Sequence, residues 1–329
     1  MKAVRVHSYG KRPSVDEVPE PRVTGPFDVL VQVGAAGLCR TDLHIAEGQW
    51  AEKSGVRLPY TIGHENAGWV RETGAAVTDV AAGDAVILHP LATCGLCRPC
   101  RRGDDVHCEN SRFPGIDCDG GMADLLLTNA RAVVKLAPGL EPAAVAALAD
   151  AGLTAYHAVR KAVPLLHPGT TCVVIGAGGL GHIGIQCLLA MTAARVIVVD
   201  PSERARALAR ELGAHEVTDS FPGQAHVVLD FVGEQGSERA GLAMTRRAGS
   251  YYVIGYGGAV NIPTIDLIST ERNIVGNLVG SYTDLDELMT LTAQGRVTLH
   301  TRSYPLAAVN EAIDDLETGR LAGRAILVP

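Results

Sequence analysis

One run, Gly176-Ala177-Gly178-Gly179-Leu180-Gly181, constrains the middle of this chain more than any other feature. The spacing G-x-G-x-x-G is common by itself. Here it follows Thr171-Cys172-Val173-Val174-Ile175, an apolar run suited to a strand buried on both faces, and opens a helix-length apolar segment from Leu180 to Met191. A second such strand, Arg195-Val196-Ile197-Val198-Val199, ends at Asp200, about 20 residues beyond the turn. Glycines there let the backbone turn tightly and approach a pyrophosphate, and the helix N-terminus adds amide donors and partial positive charge. Asp200 is suited to accept from the adenosine ribose hydroxyls and to repel a 2′-phosphate, which favours NAD over NADP. Arg204, a turn later, is a cation able to neutralise such a phosphate.

The texture around this turn predicts an α/β protein. From 152 to 297 strands alternate with helices. Ser202 is an N-cap for a helix running to Leu212, with Gly213 as its stop, and further strands fall at His226 to Phe231 and Ser250 to Gly255. Such alternation means a parallel sheet covered on both faces. Residues 1–151 differ. Short β-like runs, Phe27 to Val33 and Asp84 to Leu88, are punctuated by Gly and Pro, which predicts a mostly β domain. The Ala-rich stretch Glu141 to Ala151 reads as a helix. The tail, 298–329, holds an amphipathic helix from Leu306 to Leu316 and a closing strand from Arg324 to Val328.

Composition narrows the function classes. A length of 329 residues suits two domains, and 47% hydrophobic against 20% charged residues excludes bulk disorder. A net charge of −7 argues against nucleic acid as the main partner. The chain has no apolar stretch long enough to span a membrane, and its N-terminus carries no apolar leader pattern, so a cytoplasmic protein is expected. Its 8 cysteines then point to thiolate chemistry in a reducing compartment, not to a disulfide framework.

Four of those cysteines, Cys94, Cys97, Cys100 and Cys108, are spaced C-x2-C-x2-C-x7-C. Four thiolates can enclose a tetrahedral zinc with no open position, making 94–108 a structural metal lobe. Short C-x2-C-x2-C runs also hold iron–sulfur clusters. A nucleic-acid zinc ribbon wants two separated pairs and basic surroundings. His107 is a solvated neighbour; Cys172 and Cys187 suit packing in a core strand and helix; Cys118 receives no role.

A Cys, a His and a carboxylate from separate segments can make a zinc site with an open fourth position. Cys39, His64 and Asp150 are such a set, but spacing does not show that they converge. The sequences Gly37-Leu38-Cys39-Arg40-Thr41-Asp42-Leu43-His44 and Gly63-His64-Glu65-Asn66-Ala67-Gly68, with the four-cysteine lobe and the glycine-rich turn, resemble zinc-dependent alcohol dehydrogenases of the medium-chain dehydrogenase/reductase superfamily. The likeness spans essentially the whole chain. It implies a GroES-like catalytic domain over 1–151, a Rossmann domain over 152–297, a return to the first domain over 298–329, and homo-oligomers, dimers or tetramers, paired through the Rossmann sheets.

By that resemblance Cys39, His64 and Asp150 are catalytic zinc ligands, Asp150 standing where many relatives have cysteine. Two zinc ions per subunit follow. Glu65 resembles a glutamate able to swing onto the metal, and Asp42 a carboxylate that orients His64. Thr41 would take the hydrogen of the substrate alcohol, and His44 would pass the proton to solvent. Thr154 and Leu180 match positions that press on the nicotinamide, and Arg324 one that reaches the pyrophosphate. Trp50, His89, Leu91, Ile116 and Leu278 are candidate pocket residues and suggest an apolar small-molecule alcohol or carbonyl substrate. A polyol dehydrogenase is the neighbouring reading. A zinc-free enone or quinone reductase is disfavoured by the three ligands together. A non-catalytic NAD-binding protein with one zinc is the reading from another class.

Overall fold

The apolar run Thr171–Ile175 is the centre of a six-stranded, all-parallel sheet in the computed structural model, which describes residues 1–321 and 323–329. Across the sheet the strands run Glu216–Thr218, Arg195–Val199, Thr171–Ile175, Ala225–Asp230, Thr245–Val253 and Asn273–Gly276. In chain order that is 3-2-1-4-5-6, the doubly wound dinucleotide arrangement, whose crevice opens where the order reverses. Gly176 follows the first strand and Phe231 the fourth, so both flank that reversal. This sheet belongs to one of two compact units, Gly152–Gly280 with Gln294–Val297; the other holds Met1–Ala151, Ser281–Ala293 and Thr298–Pro329.

Local chemistry explains where the elements of the dinucleotide unit stop. Ser202 caps the helix Glu203–Glu211 by accepting from the Ala205 N–H at 3.4 Å, and Gly213 beyond it takes φ +90°. The strand expected over 250–255 instead covers Thr245–Val253. It ends there because the N–H groups of Ile254 and Gly255 both turn to the Asp230 carbonyl, each at 3.0 Å.

In the other unit the strand Asp28–Leu38 is the hub. It pairs antiparallel with Glu65–Thr73, with Leu125–Asn129 and with the C-terminal strand Arg324–Val328. Val29, Val31, Val33, Leu38 and Leu327 are buried in its core. The C-terminal strand runs parallel to Thr301–Pro305, a strand the sequence did not signal. The helix expected over 306–316 opens as a 3₁₀ turn, Leu306–Ala308, and continues as Val309–Glu317.

Two expectations need correction. The segment Ser281–Ala293, expected inside 152–297, groups by its contacts with the β-rich unit. The Tyr282 N–H donates to Asp105 Oδ1 at 3.0 Å and its hydroxyl to the Val133 carbonyl at 3.1 Å, which fixes the start of helix Tyr282–Ala293 there. The Ala-rich stretch is not one helix. A turn Pro142–Val145 tightens to a 3₁₀ turn, Ala146–Ala149, and Asp150 (φ −127°, ψ −58°) breaks it before the helix Ala151–Ala162. The Ala151 N–H donates to Glu65 Oε1 at 3.2 Å instead of continuing the ladder. Among the described residues no helix is long and apolar enough to cross a membrane.

Candidate metal and cofactor sites

Strand register brings the first cluster together. Gly37 pairs with Glu65 and Ala325 with Leu38, so continuing the registers puts Cys39 level with Gly63, two residues past the first pair, and with Arg324, one residue past the second. Cys39 then ends its strand as the N-cap of helix Arg40–Glu47, where its N–H donates to Asp42 Oδ2 at 2.9 Å. His64 immediately precedes the strand Glu65–Thr73, and Asp150 sits at the helix break. One donor atom from each of Cys39, His64, Glu65 and Asp150 lies within 4.8 Å of all the others, and three of the four residues are buried.

The electrostatics suit a cation. Asp42 Oδ1 lies 3.3 Å from His64 Nδ1, and Asp150 Oδ2 lies 3.5 Å from His64 Nε2. Neither ring nitrogen makes a hydrogen bond, and Asp42 Oδ1 and Glu65 Oε2 are likewise buried without one. Burial disfavours charge on His64, yet Asp42, Asp150 and Cys39 hold its pKa well above the usual imidazole value. Sulfur, imidazole and carboxylate converging with surplus negative charge fit a zinc-type ion. Phe113 meets the His64 ring edge-on, with centroids 6.0 Å apart.

Glu65 ties the cluster to the C-terminal strand. Its Oε1 accepts from Arg324 Nη2 as well as from Ala151. Gly37 leaves room for this: a Cβ there would stand 2.0 Å from Glu65 Oε2. Thr41 and His44 are three apart on helix Arg40–Glu47 and so share a face, both half-buried.

The second cluster is local. Cys94, Cys97, Cys100 and Cys108 each offer a sulfur within 4.8 Å of the other three. The Cys97 N–H donates to Cys94 Sγ at 3.4 Å, and the Cys94 and Asn110 N–H groups donate to Cys108 Sγ at 3.3 and 3.4 Å. Those from Cys97 and Leu96 hold the Cys94 thiol down to about 6, whereas burial and neighbouring thiols push Cys100 up to about 12. Four sulfurs steadied by backbone amides match a closed structural metal site. All eight cysteines are free thiols. Cys172 and Cys187 are fully buried in the strand and helix expected for them.

In the parallel-sheet unit, Gly176 takes φ +85°, and a Cβ on Gly181 would lie 1.8 Å from the Gly176 carbonyl oxygen. A Cβ on Gly178 would meet nothing within 4 Å, so the turn is open on that side, as a backbone that must approach a ligand requires. Leu180 is the N-cap of helix Gly181–Met191, with Gly179 just before it. Asp200 anchors the turn: its Oδ2 accepts from the Ala177 N–H and its Oδ1 from the Ser202 N–H, each at 2.8 Å. Arg206, which the sequence reading passed over, braces the same corner. Its Nη1 donates to the Asp200 carbonyl at 2.7 Å while Nη2 pairs with Glu203 at 2.6 Å. Arg204 is exposed on that helix. Thr154 is buried in helix Ala151–Ala162, its carbonyl accepting from Asn277 Nδ2 at 3.2 Å.

Of the candidate pocket residues, Ile116 belongs to the β-rich core, Leu91 and His89 are buried, Trp50 packs on that core, and Leu278 is exposed. Phe113 has the contact with His64 that none of them was given. Its signal was the Phe-Pro-Gly turn ahead of Gly120 and Gly121, which docks against Gly63.

Comparison with known proteins agrees with both halves. The family model described as alcohol dehydrogenase GroES-like domain matches residues 25–138, and that described as zinc-binding dehydrogenase matches residues 179–294. An NAD-dependent alcohol dehydrogenase of Sulfurisphaera tokodaii is 34% identical, with 100% of both chains covered. The crystal structure of the alcohol dehydrogenase of the hyperthermophilic archaeon Aeropyrum pernix superposes with a TM-score of 0.97 at 42% identity, again over 100% of both chains. The D-arabinose dehydrogenase of Sulfolobus solfataricus superposes at 0.83 and 30% identity, covering 100% of this chain and 99% of its own.

Proposed function

The chain belongs to the zinc-binding alcohol dehydrogenases of the medium-chain dehydrogenase/reductase superfamily, and from that premise we propose that it is an NAD-dependent enzyme interconverting an alcohol with its aldehyde or ketone. The observation that carries this reading is the convergence of Cys39, His64 and Asp150, with Glu65, on one buried point.

With a divalent cation and a nicotinamide dinucleotide bound, the chemistry supplied is positive charge to acidify an alcohol near neutral pH and a ring to take its hydride. Cys39, His64 and Asp150 would hold the cation, and Asp42 Oδ1, 3.3 Å from His64 Nδ1, would orient that ring. Glu65 stands by as a fourth donor, an oxygen, held by Arg324. Thr41 accepts the hydrogen of the alcohol, and His44, one helical turn on, hands it to solvent. Gly176, Gly178, Gly179 and Gly181 admit the pyrophosphate, Asp200 accepts from the adenosine ribose, and Thr154 and Leu180 flank the nicotinamide. Arg324 is retained as a candidate for a dinucleotide phosphate, because its Nε has no partner. Arg204 is the candidate for any residual 2′-phosphate tolerance.

The same reading gives two zinc ions per subunit, the second held by Cys94, Cys97, Cys100 and Cys108. It gives a cytoplasmic homo-oligomer, tetramer or dimer. Metal analysis of protein purified without chelator tests it: two zinc ions are expected, falling to one in Cys39→Ala with loss of NADH formation. One zinc in the unaltered chain, kept in Cys39→Ala, would leave a non-catalytic dinucleotide-binding protein. The D-arabinose dehydrogenase likeness favours a second reading, a polyol dehydrogenase. Turnover that rises as hydroxyls are added to the alcohol supports it; turnover that falls supports an apolar substrate.

A further inference from the structure

His182 is buried in the first turn of helix Gly181–Met191, directly after the glycine-rich turn. The Gly178 carbonyl accepts from it twice, from its backbone N–H at 3.2 Å and from ring Nδ1 at 2.9 Å. A carbonyl has no hydrogen to give, so Nδ1 carries the proton. Within a trans peptide the C=O and the following N–H point in opposite directions. Pinning the Gly178 oxygen toward the helix therefore turns the Gly179 N–H away from it. That turn is the one whose Gly178 side is open to 4 Å. One turn on, Gln186 Nε2 donates to the His182 backbone carbonyl at 3.0 Å.

We propose that His182 is a positioning residue for the dinucleotide: its imidazole fixes the peptide joining Gly178 to Gly179 so that the amides of the turn face the pyrophosphate. The proposal rests on the turn being the NAD site. Glycines at this turn give up Cβ contacts that would otherwise hold a backbone in place, so an outside tether is needed to keep a single peptide orientation.

The test is NADH binding followed by fluorescence, with Tm, zinc content and the split between KM for NAD and kcat measured alongside. His182→Asn places an amide donor where Nδ1 stands; His182→Gln places it where Nε2 stands; His182→Leu removes it. The Leu and Gln variants are expected to weaken NADH binding about five- to tenfold, the loss of one hydrogen bond. KM for NAD should rise by the same factor with kcat and zinc content nearly unchanged, and Asn should stay within about twofold of the unaltered protein. Leu binding as tightly as histidine, or Asn as weak as Leu, would overturn the role. Should Leu fail to fold, Asn against Gln still decides. No NADH binding by the unaltered protein would instead remove the cofactor reading itself, and the role with it.

Discussion

Arg324 Nη2 donates to Glu65 Oε1 in an ion pair whose side chains are 4% and 0% exposed, one residue along the chain from His64. Burial drives the Glu65 carboxyl up and the guanidinium pulls it back, while that carboxylate holds Arg324 firmly protonated. The guanidinium keeps its charge, because it does not give up its proton in a protein. Arg324→Met therefore leaves the buried Glu65 carboxyl without its cationic partner and should cost about 3–5 kcal/mol in denaturant unfolding. Adding Glu65→Gln should recover part of that loss. Equal stability of the single and double variants would show that the two side chains do not act as a pair.

Asp200 does more than await a ribose. Both its oxygens already accept backbone N–H groups, from Ala177 and Ser202, and Arg206 holds its carbonyl. Asp200→Ser should therefore weaken NAD binding by about ten- to a hundredfold, the range for hydrogen bonds to a charged group. NADP should lose less, since a repulsive charge leaves with the bonds. Steady-state kinetics with each cofactor would measure the ratio. An unchanged preference would remove Asp200 from cofactor selection.

How legible this was in the sequence depended on the range of the forces involved. The dinucleotide unit is built from neighbours: Val173, Ile197 and Val228 announce buried strands, and Gly176, Ser202 and Gly213 mark turns and caps within a few residues. The four-cysteine lobe is equally local, spanning 94–108. The cluster of Cys39, His64 and Asp150 is not. Cys39 and His64 meet because of a register, Gly37 opposite Glu65, that no periodicity states, and the resemblance to a family carried that step. Asp150 was hidden further, since Ala143 to Ala149 has high helix propensity and the break at 150 comes from Glu65, distant in sequence, capturing the Ala151 N–H. Nothing local to Arg324 signals that its guanidinium lies beside Glu65.

Asp315 gives a pH dependence of its own. It is buried and accepts from Tyr304 Oη and Arg320 Nε at 2.6 Å and from Arg302 Nη1 at 2.7 Å. The Tyr304 hydroxyl and the Arg320 guanidinium hold its carboxyl below the usual carboxylate range. A group with a depressed folded-state pKa stabilises fully above its unfolded value, about 4, and ceases to do so as pH falls through the folded value. Asp315→Asn should thus lower Tm at neutral pH, with the gap to the unaltered protein narrowing below about pH 4. A gap of constant size from neutral to acid pH would mean that the carboxylate charge contributes nothing.

His44 shares a helix face with Thr41 and is half-buried, placed to carry a proton outward without being sealed from solvent. A histidine relay works best with a pKa near the operating pH, about 6.5. At high pH hydroxide and buffer can remove the proton directly, so the relay matters most where they are scarce. His44→Ala should therefore slow alcohol oxidation by about ten- to a hundredfold near pH 6 and by much less near pH 9. Buffers of small primary amines or imidazole should restore part of the lost rate at the lower pH. A uniform drop across the pH range, without rescue by imidazole, would assign His44 to packing in helix Arg40–Glu47 and require another exit for the proton.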